Sequence, residues 1–313
     1  MTAVYRFLDE IPAGLGPSVA AIGNFDGVHL GHREILGAVT AEARARGLRS
    51  AAITFDPHPD QFLRPQQSPG LLTPMDHRIR LLAATGVDAI VILRFDEALA
   101  SLSGRQFVEQ ILVDRLGVRA MHEGGNFRFG HKADCGVSEL TSFGREFGFT
   151  LTVHRAVHVR GMEVSSSAVR ESVAVGDMKR ARWMLGRPFS VSSTPRRDRG
   201  VGTRLLVPTV NLAPYSGLLP AFGIYVTRIT IGHRCFEAVS SLGNRPTFPG
   251  AGFSVETHIL NFEPVDLTEE TPLELEFLLR LRDEMKFDSI EELKAEILRD
   301  VEKAKHFFRL TDQ

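Results

Sequence analysis

The sequence lacks the features that stabilise small secreted proteins or hold proteins in membranes. Only two of its 313 residues are cysteines, Cys135 and Cys235, and two thiols so far apart cannot build a disulfide framework. Because disulfides belong to oxidising compartments, their scarcity favours a reducing one. Residues 1–12 contain charged side chains and no apolar core, so they do not resemble a signal peptide. No apolar run approaches the roughly 18 residues that cross a bilayer. We expect a soluble, cytoplasmic protein.

The sequence also lacks an excess of charge of either sign. Its 37 Lys and Arg residues are balanced by 38 Asp and Glu residues, for a formal net charge of -1. We therefore expect small-molecule substrates rather than a nucleic acid or membrane partner. Hydrophobic residues make up 43% and charged residues 24%, which excludes a disordered or fibrous chain. At about 150 residues per domain, the length predicts two domains.

Residues 1–185 alternate strand patterns with helix patterns. Such alternation predicts an α/β domain with a doubly wound parallel sheet, whose ligands bind at the carboxyl ends of the strands. The predicted strands are 19–22, 50–55, 89–93, 120–123 and 150–153. The predicted helices are 32–46, 75–84, 104–115 and 137–148.

Residues 186–313 have a different pattern, which predicts a small antiparallel β-barrel followed by a helix. Strands are predicted at 222–231 and 234–241, and Gly232 and His233 between them are typical of a hairpin turn. Further strands are predicted at 255–260 and 273–281. Alternation in the last of these places five apolar residues on one face. They are Leu273, Leu275, Phe277, Leu279 and Leu281. Ser289 and Glu292 fit a capping box at the start of the final helix.

The most specific motif lies where the first strand meets the first helix. Residues 21–32 read AIGNFDGVHLGH. The glycines of this string, which leave backbone amides open to a ligand, are Gly23, Gly27 and Gly31. The helix that follows directs its positive N-terminal end to the same place, which favours phosphate. His29 and His32 are three residues apart, so they share a helix face and can both donate to phosphate oxygens. The alternative is a structural turn with two solvated histidines. That explanation is adequate for a single histidine but not for the complete motif.

Three later segments carry polar or aromatic residues suited to the same kind of ligand. Residues 54–59 read TFDPHP, residues 124–130 read GGNFRFG and residues 164–170 read VSSSAVR. The residues concerned are His58, Asn126, Phe127, Phe129, Ser165, Ser166 and Arg170. From the residues alone, a histidine in a loop, a phenylalanine in a core and an arginine early in a helix all have ordinary structural explanations.

The four motifs, in this order, resemble the adenylyltransferase module of the prokaryotic bifunctional riboflavin kinase/FMN adenylyltransferases, also called FAD synthetases. The resemblance implies transfer of the adenylyl group of ATP to FMN, which gives FAD and pyrophosphate, with Mg²⁺ bridging phosphate oxygens. It implies that His29, His32 and Arg170 are the catalytic residues that stabilise charge. The residues it implies for ATP and phosphate are Gly23, Asn24, Phe25, Asp26, Gly31, His58, Ser165 and Ser166. Those it implies for flavin are Asn126, Phe127 and Phe129. A turn-capping role for Asp26 is an equal alternative.

The resemblance extends more loosely into the riboflavin kinase module of the same family. Residues 186–191 read GRPFSV, residues 208–211 read PTVN and residues 255–258 read VETH. It implies that Glu256 is the base that deprotonates a riboflavin hydroxyl, and that Thr209 and Asn211 bind phosphate and Mg²⁺. Without the resemblance, Glu256 is an outward-facing strand residue, and Thr209 and Asn211 are ordinary turn residues.

The kinase half departs from the family around its nucleotide loop. Leu206 stands where the family has a glycine, and Ser193 lies in a stretch where another glycine is usual. Asn261 replaces a usual aspartate. The arginine-rich segment 196–204 either wraps phosphates or is a solvated loop. Two alternatives to the bifunctional enzyme therefore stay open. One is an FMN adenylyltransferase whose barrel only binds flavin, and the other is a flavin-binding regulatory protein without activity.

Overall fold

The computed structural model describes residues 1–11, 15–196, 209–243, 254–261, 263, 265 and 267–311. The chain divides into two compact units, Met1–Ser166 and Ser167–Gln313. This division falls earlier than the predicted boundary after residue 185. The difference arises because the helix Met178–Leu185 packs on strands of the second unit.

The first unit is built on a parallel sheet of six strands. They are β1 (Ala3–Arg6), β2 (Ser18–Ile22), β3 (Arg49–Asp56), β4 (Ala89–Arg94), β5 (Val118–Gly124) and β6 (Thr150–His154). Their order is β1-β4-β3-β2-β5-β6, and all neighbours are parallel. The doubly wound fold and the five predicted strands are confirmed. Sequence analysis missed β1, a short edge strand that is only partly buried.

Helical segments connect these strands. They are α1 (Leu30–Arg46), α2 (Pro59–Leu63), α3 (Met75–Ala83), α4 (Glu97–Ala100), α5 (Gly104–Phe107) and α6 (Val137–Phe147). The helix predicted at 104–115 is α5 continued by a π-helical segment, Val108–Val113. A two-stranded ribbon, β7 (His158–Val159) and β8 (Met162–Glu163), follows β6.

Both faces of this sheet are covered, as a parallel sheet requires. Along the fully buried strand β2, Ala20 and Ile22 belong to one apolar cluster, and Val19 and Ala21 belong to another on the opposite face. The strand order reverses between β2 and β5. Ligands of doubly wound sheets bind in the crevice at such a reversal, beyond the carboxyl ends of the strands.

The described residues of the second unit form an antiparallel sheet and three helices. Its elements are α7 (Ser166–Ala174), which begins at the last residue of the first unit, α8 (Met178–Leu185), β9 (Phe189–Ser193), β10 (Thr209–Asn211), β11 (Gly223–Ile231), β12 (Arg234–Gly243), β13 (Ser254–Ile259), β14 (Leu273–Arg282) and α9 (Ile290–Thr311). The strand order is β10-β13-β12-β11-β14-β9.

The chain beyond the two outer strands closes this sheet into a barrel. The Arg196 N–H donates to the Asn211 carbonyl at 2.8 Å, and the Ala213 N–H donates to the Thr194 carbonyl at 2.8 Å. Pro195 pairs with Leu212 between these bonds. The predicted barrel is therefore confirmed, as is the hairpin at Gly232, whose φ is 60°.

One prediction about the face of β14 is wrong. Leu273, Leu275 and Phe277 are buried as predicted, but Leu278 is buried as well and Leu279 is 37% exposed. The pairing with β11 shifts between Val226 and Thr227, so Leu278 is an extra residue in its strand. Such a bulge moves the side chains that follow it to the other face, and the register shifts once more between Ile224 and Tyr225.

The start of α9 confirms Ser289 as its cap. The Glu292 N–H donates to the Ser289 hydroxyl at 3.2 Å. The Glu292 carboxylate accepts from the N–H of Asp288 at 3.3 Å. The return bond of the predicted capping box therefore reaches one residue further back than expected.

Candidate active sites

His29 and His32 lie together at the N-terminus of α1, where the predicted phosphate site falls. His29 is the N-cap, and its Nδ1 accepts from the His32 N–H at 3.3 Å. The two imidazole rings stack with centroids 3.6 Å apart and planes inclined by 16°. Phe25 meets the His32 ring edge-on at 5.2 Å. The prediction that the two histidines share a face is confirmed.

The surroundings of His32 favour its neutral form. Burial lowers the pKa of His32 well below its usual value, and the electrostatic effects of the neighbouring His29 and Arg78 lower it further. Its Nδ1 is buried and has no hydrogen-bond partner among the described residues. Because a nearby anion favours the charged form of a histidine, a phosphate that arrives here promotes proton uptake.

Asp26 anchors the turn that leads into α1. Its carboxylate is fully buried and accepts from the Leu72 N–H at 3.0 Å, the Thr73 N–H at 2.9 Å and the Thr73 hydroxyl at 3.0 Å. The Arg78 guanidinium lies 3.6 Å away and is 1% exposed. The side chain predicted to bind ATP is thus committed to protein contacts, and the alternative of a turn-stabilising role is the one that its placement supports.

The turn held by Asp26 has an unusual backbone. Phe25 and Val28 have φ angles of 46° and 38°, and Gly27 has a φ of 84°. Left-handed geometry is unfavourable for side chains with a Cβ, above all for β-branched valine. Residues in such regions cost on the order of 1–3 kcal/mol each and persist where their surroundings fix them. Both side chains are almost fully buried, which supplies that constraint.

The glycines of the motif have roles that differ from those predicted. The Gly23 N–H donates to the Ile53 carbonyl at 3.0 Å, and the Gly27 N–H donates to the Thr73 hydroxyl at 3.0 Å. The prediction that these amides are open to a ligand is wrong, because both serve the fold. At Gly31 a Cβ would lie 3.3 Å from two atoms of the His29 ring. Glycine here makes room for that ring.

Other residues predicted for the ATP side lie at different depths. Asn24 is exposed, and the Ser166 hydroxyl donates to the Asp26 carbonyl at 2.8 Å, which joins segment 164–170 to the turn. His58 is 5% exposed and caps α2, where its Nδ1 accepts from the Asp60 N–H at 3.2 Å. Ser165 is half-buried. Arg170 belongs to the second unit, and its approach to the histidines stays a prediction.

The three residues predicted for flavin differ in exposure. Asn126 is exposed. The Phe127 and Phe129 rings stack at 5.5 Å with an interplanar angle of 15°. Phe129 is 8% exposed and packs in the core against Phe107, so its ring is already used by the fold. Among the three, Asn126 and Phe127 are better placed to meet a ligand.

Sequence analysis missed an aromatic group at the ends of β3 and β4. Phe95 contacts Phe55 at 5.7 Å and Phe62 at 5.8 Å, both edge-on, and Phe62 is 38% exposed. A signal was present, because Phe55 belongs to the TFDPHP motif and Phe62 follows it within one helical turn.

Two buried charged residues in the described part of the first unit were also missed. Arg78 lies in an amphipathic helix, where sequence reasoning expects a solvated arginine. Glu123 is 3% exposed and ends an apolar strand. The only sequence signal for Glu123 was the occurrence of an ionisable residue inside an apolar strand.

The residues predicted for the kinase site meet on the paired strands β10 and β13. In the antiparallel register Asn211 lies opposite Glu256, and Thr209 lies opposite His258. Alternation along each strand places all four on one face. Ser241 of β12 flanks Glu256 on its other side. The sheet therefore brings the three predicted residues together and adds Ser241 and His258, whose pKa is lowered by burial.

The opposite face of β13 points into the barrel. There the Thr257 hydroxyl bonds to Ser240 at 2.9 Å, and Ser240 bonds to Thr227 at 2.8 Å. All three are fully buried. Glu256, by contrast, is exposed, so it faces a region that a ligand can reach.

The residues predicted for Mg²⁺ offer oxygen atoms, which this ion prefers. The Asn211 Oδ1 is buried and has no hydrogen-bond partner in the described part of the chain. An unpaired buried oxygen beside the Thr209 hydroxyl fits a site completed by a metal ion and phosphates. Within the described ranges, no cluster of three or more His, Cys, Asp or Glu residues forms a metal site by itself.

The structure describes only part of the predicted nucleotide loop. Leu206 and residues 197–204 lie outside the described residues, as do residues 244–248. Ser193 is described, and its hydroxyl donates to the Ala213 carbonyl at 3.1 Å, next to the closure of the barrel.

Comparison with known families assigns each unit to a protein family. A family model described as FAD synthetase matches residues 12–168, and one described as riboflavin kinase matches residues 185–308. The α/β unit with its histidine pair and the barrel with its strand-borne glutamate are therefore two transferase domains on one chain.

Whole-chain relatives have the same combination. Over 294 residues, or 94% of this chain and 93% of the relative, the chain is 33% identical to a bifunctional riboflavin kinase/FMN adenylyltransferase of Escherichia coli K12. It is 35% identical to that of Pseudomonas fluorescens, over 92% of each chain. The chain belongs to the bifunctional riboflavin kinase/FMN adenylyltransferase family.

A solved structure has the same fold. It is described as a macrolide-efflux protein from Streptococcus pneumoniae and is 26% identical, with a TM-score of 0.86 over 97% of this chain and 98% of that one. In the described part of the present chain, no helix is long and apolar enough to cross a membrane.

The anchor at Asp26 gives a stability prediction. Asp26→Asn removes the charge that faces the buried Arg78, and breaking a buried pair from one side typically costs about 3–5 kcal/mol. We expect calorimetry to show a clearly lower unfolding temperature for this variant. Asp76→Asn is the matched control, because Asp76 pairs with Arg6 at the surface, where a pair is worth about 0–1 kcal/mol. Equal unfolding temperatures for the two variants would contradict the assigned role.

Proposed function

We propose that the chain makes FMN from riboflavin and ATP in its second unit, and FAD from FMN and ATP in its first unit. Membership of the family supports both reactions. The observation that carries the residue assignment is the stacked pair of His29 and His32 at the N-terminus of α1, beside the reversal point of the parallel sheet. We further propose that the protein acts in the cytoplasm, where its two cysteines stay reduced.

In the adenylyl-transfer site the attacking group is already an anion. A phosphate oxygen of FMN forms a bond to the α-phosphorus of ATP, and the bond to pyrophosphate breaks, so no strong general base is needed. His29 and His32 donate hydrogen bonds to the charge that develops on the α-phosphate. Arg170, Ser165 and Ser166 hold the leaving pyrophosphate, and Asn126 and Phe127 hold the flavin.

His32 is suited to this work because it starts neutral. Its neutral ring adds no charge that must be compensated before the ligand arrives, while phosphate favours protonation when it binds. Asp26 and Phe25 act on the pair indirectly, by holding the turn and the His32 ring.

In the kinase site the attacking group is an alcohol and has a proton to lose. Glu256 takes the proton from the riboflavin hydroxyl as its oxygen bonds to the γ-phosphorus of ATP, and ADP leaves. Asn211 and Thr209, on the same face as Glu256, bind the phosphate chain. His258 and Ser241 border the site and help to orient Glu256.

Mg²⁺ fits the kinase site through the oxygens of Thr209 and Asn211, with substrate phosphates as further ligands. When bound, it would neutralise charge on the phosphates of ATP. In the adenylyl-transfer site the metal would be held mainly by phosphates.

The alternative in which the barrel binds flavin without phosphorylating it depends on the nucleotide loop. A leucine at position 206 brings a side chain to a place where the family has none. If the unmutated protein makes no FMN, Leu206→Gly is the variant that should restore kinase activity. The third possibility, a regulatory protein without activity, leaves the histidine pair without a purpose.

Replacing His32 tests the first site. His32→Ala should lower FAD formation about 10²-fold or more, the usual effect of losing one transition-state donor. FMN formation from riboflavin should be unchanged. Separating the flavins after reaction with ATP measures both steps. His306→Ala, which alters an exposed histidine of α9, should leave both rates unchanged. A folded His32→Ala protein that makes FAD at the normal rate would refute the assignment.

Replacing Glu256 tests the second site. Glu256→Gln keeps size and hydrogen bonding but removes basicity, so FMN formation should fall about 10²–10⁴-fold, as for the loss of a general base. FAD formation from supplied FMN should be nearly unchanged. Glu270→Gln, at an exposed turn before β14, is the matched control. Loss of both activities in Glu256→Gln would instead indicate misfolding or a shared site.

A further inference from the structure

Glu123 occupies the place where the parallel sheet opens. It is the next-to-last residue of β5, and its Oε1 accepts from the N–H of Ile22, the last residue of β2, at 2.8 Å. Glu123 is 3% exposed. A side chain of one strand thus receives the final amide of the neighbouring strand.

The regular ladder between these strands has already ended at that level. The register of β2 with β5 runs only to Ala20 and Met121, whereas β2 stays paired with β3 as far as Ile22 and Ile53. The Gly23 N–H continues the bonding to β3. The Ile22 N–H therefore faces β5 beyond the last backbone pair, and the Glu123 carboxyl replaces the missing backbone acceptor.

This bond joins the starting points of two loops. After Ile22 the chain enters residues 23–29, which lead to the histidine pair and are called the phosphate turn below. After Glu123 it enters residues 124–130, the flavin loop, which carries Asn126 and Phe127. The order of strands reverses between β2 and β5, so the bond lies at the base of the crevice where ligands of such sheets bind.

Apolar residues lie next to Glu123 in the sheet. Met121 shares its face of β5 by alternation, and Val153 lies beside it on β6. Burial raises the pKa of the Glu123 carboxyl well above its usual range, and the bond from Ile22 only partly opposes this. Burial therefore favours the protonated form of this carboxyl.

Charged groups of the neighbouring elements are occupied elsewhere or exposed. On the helical segments and the loop of that face they include Arg105, Glu109, Arg128, Glu139, Arg145 and Glu146. Arg105 pairs with Glu146, and Glu139 accepts from the Gly136 N–H at 2.7 Å. On the opposite face of β5, His122 bonds to Glu42 of α1 and His154 of β6.

We propose that Glu123 is a positioning residue for adenylyl transfer, which fixes the phosphate turn relative to the flavin loop by joining the ends of β2 and β5. The inference rests on the proposed placement of ATP and FMN at this edge of the sheet. In-line transfer requires the attacking oxygen and the α-phosphorus to be aligned, and a displacement of about 1 Å can cost on the order of 10²-fold in rate. The residue acts on these atoms through the two loops, without touching them.

Three substitutions in the full-length chain distinguish the positioning role of the Glu123 side chain from a chemical role of its carboxyl. Glu123→Gln keeps a carbonyl acceptor for Ile22, so FAD formation should stay within about threefold of the unmutated rate. Glu123→Leu removes the acceptor, so kcat for FAD formation should fall about tenfold or more while KM for FMN rises. Glu123→Asp has a side chain one methylene shorter, so its rate of FAD formation should lie between those of the other two variants. FMN formation from riboflavin is the internal control and should not change.

Several outcomes would overturn the proposal. Loss of FAD formation in Glu123→Gln as large as in Glu123→Leu would mean that the carboxyl acts chemically. A folded Glu123→Leu protein with normal kcat and KM would show that the bond has no effect on the reaction. If Glu123→Leu does not fold, Glu123→Asp tests the positioning role instead. Normal kcat and KM in Glu123→Asp would then refute the proposal. Normal FAD formation in His32→Ala, measured alongside, would instead refute the placement of the site.

A second measurement reports the protonation state of Glu123. A carboxyl whose pKa is raised in the folded protein stabilises the fold at low pH. This stabilisation is lost as the pH rises above the pKa that the carboxyl has in the unfolded chain. Glutamine has no such loss. The unfolding temperature of Glu123→Gln minus that of the unmutated protein should therefore increase between about pH 5 and pH 8. A difference that is constant or decreases over this range would show that Glu123 is ionised.

Discussion

The carboxylate of Asp26 holds the turn before α1 through three hydrogen bonds to residues 72–73 and a buried contact with Arg78. Together with the burial of Phe25 and Val28, these contacts hold the left-handed geometry of both residues. That geometry aims the chain so that His29 caps α1 and stacks on His32. The chemistry proposed for the first unit thus depends on a buried carboxylate that is bound by other residues of the protein.

In the proposed mechanism the two units neutralise phosphate charge with different local structures. The first would use a helix N-terminus and two imidazoles, and burial lowers the pKa of one of these, His32. The second uses the register of two antiparallel strands, which sets Asn211 beside Glu256 and Thr209 beside His258. An anionic attacking group needs only donors, whereas an alcohol also needs a base. This difference explains why a carboxylate is expected in the barrel and not among the histidines.

The sequence was sufficient to predict the helices and strands whose hydrophobic periodicity is strong. It was also sufficient to predict the histidine pair, because residues three apart in a helix share a face. It was insufficient where contacts between distant segments decide. The Gly23 and Gly27 amides were expected to face a ligand, but one completes the sheet and the other bonds to Thr73. The face of β14 was misjudged after Leu278 because a single extra residue reverses the alternation. Arg78 and Glu123 were missed because burial of a charge depends on partners that no local pattern contains.

A time course of products shows whether one chain carries out two successive ATP-dependent transfers on flavin. The unmutated protein is incubated with riboflavin, ATP and Mg²⁺, and the flavins are separated at intervals. FMN should appear first and then be converted to FAD, and FAD should form at once when FMN is supplied in place of riboflavin. Formation of FAD from supplied FMN, with none of either product from riboflavin, would contradict the proposed kinase reaction. Accumulation of FMN without any FAD would contradict the adenylyl transfer proposed for His29 and His32.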